Sequence, residues 1–360
     1  MRKVKEMRNE IAVKLTAESR INMVDFDNIQ FGRIFSDHQF IATYENEEWK
    51  NFEIVPYGNL SLSPATSAIH YGQAIFEGMK AHKNADEEIL LFRPLDNWNR
   101  LNLSAQRMAM PSIPQDIFMD ALEALLKIDK VWIPTKAGSS LYIRPFMFAT
   151  DDFIGVQPSK TYKFIIFTCP VNAYYNEPLK IKAETQYIRA AEGGVGFAKC
   201  AGNYAAALMP TAKAQHDGFN QILWLDAKEH QYLEETGTTN IFVRIENTVY
   251  TPSLQSNTIL NGITRDSIIK IARHNNLTVI EEPISIHRLF DAHEKGLLRS
   301  AFVTGTAATL TPIAQISYLD KSIILNPDDS WDWFRLFKHT IEGIKTGNIE
   351  DPFNWIVKVS

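Results

Sequence analysis

From Phe40 onward the chain alternates apolar and polar positions with a period of two, in FIATYE, WKNFEIV, AIFEGMKAHK and EILLFRP. The pattern predicts antiparallel hairpins. Two stretches then take a helical period, Pro94–Met108 and Pro114–Val131, the second preceded by Ser112 at a plausible cap. Strand patterning returns in SLYIRPFMFAT and YKFIIFTCPV, and later in QILWLD, TNIFVRI, NTVYTP, TVIEEPIS and SAFVTGTA, with a helix near Thr264–Asn275 among them. The closing run WDWFRLFKHTIEGIK is amphipathic and offers Trp331, Phe334, Leu336, Phe337 and Ile341 to a core. Strand clusters interrupted by a few helices predict an α+β fold with mixed or antiparallel sheets and flanking helices, not a Rossmann fold.

A length of 360 residues predicts about two domains. Between Val171 and Thr185 the apolar run fails and a proline appears, so residues 171–183 read as a linker. They divide a smaller α/β domain, 1–170, from a larger domain, 184–360, that carries Lys199. Residues 1–28 are polar and read as a surface helix or a partly mobile arm.

Composition narrows the function classes. With 45% hydrophobic and 22% charged residues the chain has a core to bury and is no disordered protein. A net charge of −5 without a Lys/Arg block argues against nucleic acid. The start MRKVKEMRNE has no signal-peptide pattern and no 18-residue apolar run occurs, so neither a membrane nor secretion is expected. Cys169 and Cys200 can build neither a disulfide framework nor a zinc knuckle, and the expected compartment is the cytoplasm.

The densest chemistry lies in EGGVGFAKCAGNY, Glu192–Tyr204. Lys199 stands where a dinucleotide fingerprint needs its third glycine, and Ala198 and Cys200 deny it a P-loop. What remains is a glycine-rich approach that delivers one lysine among Val195, Phe197 and Ala198. Partial desolvation there would lower its pKa from about 10.4 and free the amine for Schiff-base chemistry. The following stretch reads as a helix that Pro210 should kink or split.

In LEETGTTNIFVRI, Glu235 precedes a turn that feeds an apolar strand, which suits either a turn cap or a carboxylate facing a cationic heterocycle. Thr264 opens the helix of NGITRDSIIKIA, and Gly305 and Thr306 end a strand in TGTAA. Both are termini of the kind that cradle phosphate, although a cap and a tight turn read equally well from each. Arg100, Arg144 and Arg189 sit in apolar contexts and could fork onto a phosphate or carboxylate, an internal Asp or Glu serving as well. The histidines show no metal spacing, no GxSxG elbow is present, and His70 reads as structural.

Taken together, HYGQAIFEGMKA, LFRP with NWNRL, LYIRP, GGVGFAKCAGNY, EETGTTNIF, NGITRD and TGTAA resemble, in order, the branched-chain amino-acid aminotransferases, pyridoxal-phosphate enzymes of fold type IV. The resemblance runs from about Phe31 to the C-terminus. It implies that Lys199 holds pyridoxal 5'-phosphate and shuttles the substrate Cα proton, that Tyr204 bonds the cofactor's phenolic oxygen, and that Glu235 pairs with its pyridine nitrogen. It further implies that Arg100, Ile263, Thr264 and Thr306 bind the phosphate with Arg189 close by. The substrate carboxylate would meet Ala307, Ala308 and Tyr71. Phe31, Phe76, Tyr142, Tyr174 and Thr238 would line an aliphatic pocket closed by Val156 of a second subunit, and Arg144 with Tyr142 would take the distal carboxylate of glutamate. The implied reaction exchanges the amino group of L-leucine, L-isoleucine or L-valine with 2-oxoglutarate in a homodimer. Rival readings on the same fold are an enzyme of D-amino acids, an aminodeoxychorismate lyase and a non-catalytic carrier of the cofactor. Mammalian members carry a CxxC pair where Ala308 and Thr311 stand, so thiol regulation of that type is not expected.

Overall fold

Strands Ser140–Ala149 and Tyr162–Val171 pair antiparallel along their whole length, Ser140 opposite Val171 and Ala149 opposite Tyr162. They form the middle of the first of two sheets in the computed structural model, which describes residues 10–172, 177–328 and 331–359. The chain divides into two units. One comprises Met1–Tyr174, Lys199–Ala201 and Ile344–Ser360, the other Tyr175–Ala198 and Gly202–Gly343.

In the first unit the strand order is Ala12–Val13, Glu48–Pro56, His38–Glu45, Tyr162–Val171, Ser140–Ala149, Met79–Lys83, Ile89–Phe92 and Ile356–Val359, with Ala74–Phe76 also beside Ser140–Ala149. The hairpins expected from the period-two runs form, His38–Glu45 with Glu48–Pro56 and Met79–Lys83 with Ile89–Phe92, both antiparallel. Helices Pro94–Arg107 and Gln115–Ile128 turn Leu101, Ala105, Ile117, Phe118, Ala121, Leu122 and Leu125 inward. Ser112 is not the cap of the second helix: Pro114 holds that position without a side-chain bond, and the Ser112 carbonyl accepts from Trp49 Nε1 at 2.9 Å.

One irregularity of this sheet matters for the chemistry. Pro145 lies inside a central strand and has no N–H to offer. Opposite it the neighbouring strand breaks between Phe76 and Met79, and the Glu77 N–H donates to the Pro145 carbonyl at 2.7 Å. Glu77 and Gly78 are thereby fixed in an interruption between two strands.

Of residues 1–28, expected as a surface helix or a partly mobile arm, the described part, from residue 10, forms no α-helix. Ala12–Val13 adds a parallel edge strand against Glu53 and Ile54, and Ile21–Met23 is a single 3₁₀ turn. A polar segment with so few apolar positions cannot bury a helical face, whereas an open strand edge supplies backbone partners.

In the second unit the strands Leu233–Thr236, Gln221–Leu225, Leu179–Ala183, Thr309–Tyr318, Leu298–Gly305 and Thr239–Ile245 follow one another, and the last pairs back onto the first. This ring of six strands has no open edge, which is how barrels dispose of unpaired backbone. Thr248–Thr251 and Thr278–Glu281 extend it outward, and Lys321–Ile324 pairs with Thr309–Tyr318. Trp224, Phe242 and Phe302 are buried within this unit. Phe334 and Phe337 of helix Asp332–Thr346 pack on Phe302, while Leu336 is only partly covered.

Two readings of the organisation change. Leu179–Ala183, inside the stretch read as linker, is a strand whose Leu179, Ile181 and Ala183 are buried, because period-two burial needs only three apolar residues in five. Residues 344–360 cluster with the first unit, their strand Ile356–Val359 pairing with Ile89–Phe92. Helix Ala201–His216 runs on through Pro210 and is not split.

Candidate active site

Lys199 belongs to a three-residue segment that clusters with the first unit. Its N–H donates to Ser104 Oγ at 2.9 Å, and its carbonyl accepts from the Phe76 N–H at 3.0 Å. The next residue, Cys200, bridges Ile75. Two elements distant in sequence, helix Pro94–Arg107 and strand Ala74–Phe76, therefore hold the lysine backbone from both sides. The side chain is half-buried and its Nζ lies 4.8 Å from the centre of the Phe76 ring. The expected apolar neighbours are present, Ala198 buried and Val195 and Phe197 partly so, but Phe76 supplies the ring that covers the amine.

Phe76 also carries the guanidinium of Arg144 at 4.6 Å, and Arg144 Nη2 donates to Tyr142 Oη at 3.0 Å. Phe31 meets Tyr142 edge-on with centroids 5.1 Å apart. Four residues expected to line one pocket are thus brought together. Arg144 Nε is buried and has no hydrogen-bond partner among the described residues, the signature of a cation waiting for an acceptor. Tyr71 is 41% exposed on the short helix Ser67–Tyr71, and Val156 is 89% exposed. Tyr174 lies outside the described residues. His70 Nε2 bonds the Pro64 carbonyl at 2.8 Å, a structural contact.

Arg100 does not present an open fork. Its Nε and Nη2 donate to the two oxygens of Glu77 at 2.7 and 2.8 Å, and Glu77 is wholly buried. A guanidinium at this depth requires a carboxylate, and the interruption opposite Pro145 places one beside it.

In the second unit Glu235 is built by a hairpin. Gly237 takes φ +50 in the two-residue turn that follows it, and the Thr236 and Thr239 hydroxyls bond each other across that turn at 2.7 Å. The spacing of Glu235 and Asn240 in E-x-G-T-x-N then makes them cross-strand partners. Glu235 is 3% exposed. One of its oxygens accepts from the Leu260 N–H and from Asn240 Nδ2, the other faces Arg189 Nε at 3.1 Å. Arg189, expected close to a phosphate, pairs with Glu235 and spends Nη1 on the carbonyls of Gly196 and Thr258, at 3.1 and 2.7 Å. The reason is burial: an ionised Glu235 this deep needs an opposite charge. Gly196 can only be glycine, because a Cβ there would overlap the Thr258 carbonyl.

Two hairpin tips meet beside this carboxylate. Asn240 pairs with Thr304, and Gly305 lies so close to Thr239 that a Cβ would fall 2.9 Å from its methyl. The turn of Thr306, Ala307 and Ala308 therefore lies alongside Thr238. Ile263 and Thr264 begin the twelve-residue helix Ile263–His274, whose first N–H groups suit an anion. Tyr204 is half-buried on helix Ala201–His216.

Four residues of these clusters escape sequence reading. Asn203 Nδ2 donates to the carbonyls of Val195 and Ala198, at 2.9 and 2.8 Å, and fastens the glycine-rich approach to the lysine. Glu77 and Ser104 act as described above. Glu234 is 5% exposed, and burial pushes its carboxyl up to about 7, against the pull of Thr258 and Arg189 and with the help of Glu235 and Asp226. Asn203, Glu77 and Glu234 each lie inside a quoted motif, in GNY, EGMKA and EETG, although what each holds needs the fold; Ser104 lies in none of them. No cluster of potential metal ligands occurs among the described residues, and no helix among them is long and apolar enough to cross a membrane.

The first unit offers a lysine amine on a hydrogen-bonded backbone and an arginine whose Nε lacks a partner among the described residues; the second offers a buried carboxylate fixed by three donors and the first N–H groups of a helix. Each is a kind of group that a phosphorylated pyridine aldehyde or an anionic substrate requires. The amino-transferase class IV family matches residues 74–316. Branched-chain-amino-acid aminotransferase 2 of Bacillus subtilis (strain 168) is 42% identical over 354 residues, covering 97% of each chain. The crystal structure of the Escherichia coli branched-chain amino acid aminotransferase superposes with a TM-score of 0.72 at 26% identity, over 90% of this chain and 99% of that one. That of the branched-chain amino acid aminotransferase from Thermobaculum terrenum in its PLP-form shares the fold, with a TM-score of 0.72 at 21% identity over 90% and 99%. The chain belongs to the class IV aminotransferases of fold type IV, in the branched-chain-amino-acid aminotransferase group.

Proposed function

We propose that this aminotransferase exchanges the amino group of L-leucine, L-isoleucine or L-valine with 2-oxoglutarate by a ping-pong mechanism, with pyridoxal 5'-phosphate held at Lys199. Bound, that cofactor supplies an electron sink for the charge that develops at the substrate Cα. Lys199 Nζ is the attachment point and, once released, moves the proton at Cα. Glu235, paired with Arg189 and oriented by Leu260 and Asn240, would hold the proton on the pyridine nitrogen. Tyr204 donates to the phenolic oxygen. The backbone of Ile263, Thr264 and Thr306 binds the phosphate. Arg100, its charge already matched by Glu77, adds orientation more than net charge. Tyr71 and the turn at Ala307 and Ala308 take the substrate carboxylate.

The observation that carries the choice of substrates is the grouping of Phe31, Phe76 and Tyr142 around an Arg144 whose Nε lacks a partner among the described residues. Aromatic faces accept an aliphatic side chain, and the guanidinium accepts the second carboxylate of glutamate. By the family resemblance, Tyr174, Thr238 and, from the second subunit of a homodimer, Val156 are also assigned to the aliphatic side chain of the substrate. The expected compartment is the cytoplasm.

Absorbance titration of the cofactor-loaded enzyme tests the reading. L-leucine, L-isoleucine, L-valine and L-glutamate should each shift the spectrum, and 2-oxoglutarate should restore it. A response to D-alanine alone would favour the D-amino-acid reading, and an unchanging spectrum a carrier; either sinks the proposal.

A further inference from the structure

We infer that Ser104 is a positioning residue for the lysine, a single hydroxyl that sets where the Lys199 amine stands. The inference deepens the proposed reaction and rests on Lys199 being its working amine.

Ser104 is completely buried on helix Pro94–Arg107. Its hydroxyl donates to the Arg100 carbonyl one turn earlier at 3.0 Å, a common local bond. The same oxygen accepts the Lys199 N–H at 2.9 Å, from 95 residues further along the chain. Lys199 precedes helix Ala201–His216, so its N–H has no helical acceptor within that helix, and the serine provides one.

A circuit closes from there. Arg100 reaches Glu77 by its side chain, Glu77 follows Phe76, and the Phe76 N–H donates to the Lys199 carbonyl. Both polar groups of the Lys199 backbone are thus held on one scaffold, and the direction of its Cα–Cβ bond with them. The Phe76 ring of that scaffold lies under Nζ. The covalent and hydrogen-bonded ring Phe76, Glu77, Arg100, Ser104, Lys199 ties the reactive amine to the arginine. Positioning at this level matters because a misplacement of about 1 Å can cost a hundredfold in rate.

The test uses the cofactor-loaded enzyme and three variants. In Ser104→Ala the Lys199 N–H loses its acceptor, and the pH midpoint of the lysine-bound cofactor's absorbance should move by about one unit, since a tenfold change in equilibrium is one unit. Turnover with L-leucine should fall about tenfold or more while KM changes less than about threefold. Ser104→Thr, which restores a hydroxyl able to bond both partners, should recover both readouts. Ser36→Ala removes a buried bond to Thr168 elsewhere in the same unit and should lower Tm without moving the midpoint. If Ser104→Ala does not fold, Ser104→Cys, similar in size with weaker bonds, carries the same expectation. A wild-type midpoint and turnover in the folded variant would overturn the inference. A wild-type enzyme with no lysine-bound absorbance would instead overturn the proposed function.

Discussion

Arg189 Nε lies 3.1 Å from Glu235 Oε2, with the two side chains 6% and 4% exposed, so the carboxylate proposed to face the cofactor ring carries its own counter-ion. The same guanidinium holds the carbonyls of Gly196 and Thr258. One side chain therefore joins the acid to the loop that leads to Lys199. With this cation behind it, the acid meets a second positive charge only at some electrostatic cost, which favours a partner that also donates a hydrogen bond.

Removing this cation should be severe. Arg189→Ala leaves a buried carboxylate and two carbonyls uncompensated and is expected to lower stability by about 3–5 kcal/mol, read from the midpoint of urea unfolding. Arg189→Lys should recover only part of it, because a point charge cannot serve three acceptors in one plane. Wild-type stability in both variants would rule out the ion pair as a structural element.

Charge at position 235 and the amine at 199 separate cleanly. Glu235→Gln should retain the cofactor and slow turnover by up to about a thousandfold, the rate equivalent of about 4 kcal/mol for a charge pair at about 4 Å and an effective dielectric of about 20. Lys199→Ala should lose the covalent attachment altogether, visible as absent absorbance of the lysine-bound cofactor. Full activity with that absorbance intact would exclude Lys199.

Gly262 tests the support of Glu235 without touching it. A Cβ at this position would overlap Asn240 Oδ1, and Asn240 donates to both Glu235 and the Leu260 carbonyl. Gly262→Ala should cost about 1–3 kcal/mol from forced displacement of a packed group. It should also reduce turnover by more than the conservative surface change Lys213→Ala on helix Ala201–His216. Equal effects of the two substitutions would refute the coupling.

Two buried groups set opposite slopes of stability with pH. Burial raises the Glu234 carboxyl to about 7. Between about pH 4.5 and 7 the unfolded chain has lost that proton while the folded one keeps it, so stability falls as pH rises, by on the order of 3 kcal/mol across the window. His82 runs the other way. Burial, helped by Lys345 and Lys80, lowers it to about 3, so between about pH 6.5 and 3 only the unfolded chain takes up the proton and stability falls as pH drops. Urea midpoints over about pH 4–8 should therefore lose their decline toward neutral pH in Glu234→Gln and soften their acid decline in His82→Asn. An unaltered profile in either variant would remove that residue from the account.

Much of the fold was legible because local chemistry specifies it. The antiparallel hairpins, helices Pro94–Arg107 and Ile263–His274, and the buried face of the last helix follow from periods of two and 3.6 in the side chains. Leu179–Ala183 was lost among polar neighbours, and Ile356–Val359 reads as a strand only once Ile89–Phe92 stands beside it. Short strands draw their stability from partners, and partners are remote in sequence.

The candidate site divides in the same way. Local sequence alone made Lys199, Glu235 and the two backbone-rich termini at Thr264 and Thr306 candidates, because each lies within a turn or helix start whose geometry is written in a few adjacent residues; Tyr204 entered only through the family resemblance. Tertiary structure decided who holds them: Arg189 behind Glu235, Glu77 in the fork of Arg100, and Ser104 beneath the Lys199 backbone. Those choices depend on which buried charge or orphaned N–H meets which distant acceptor, and burial is a property of the packed chain that no local stretch carries.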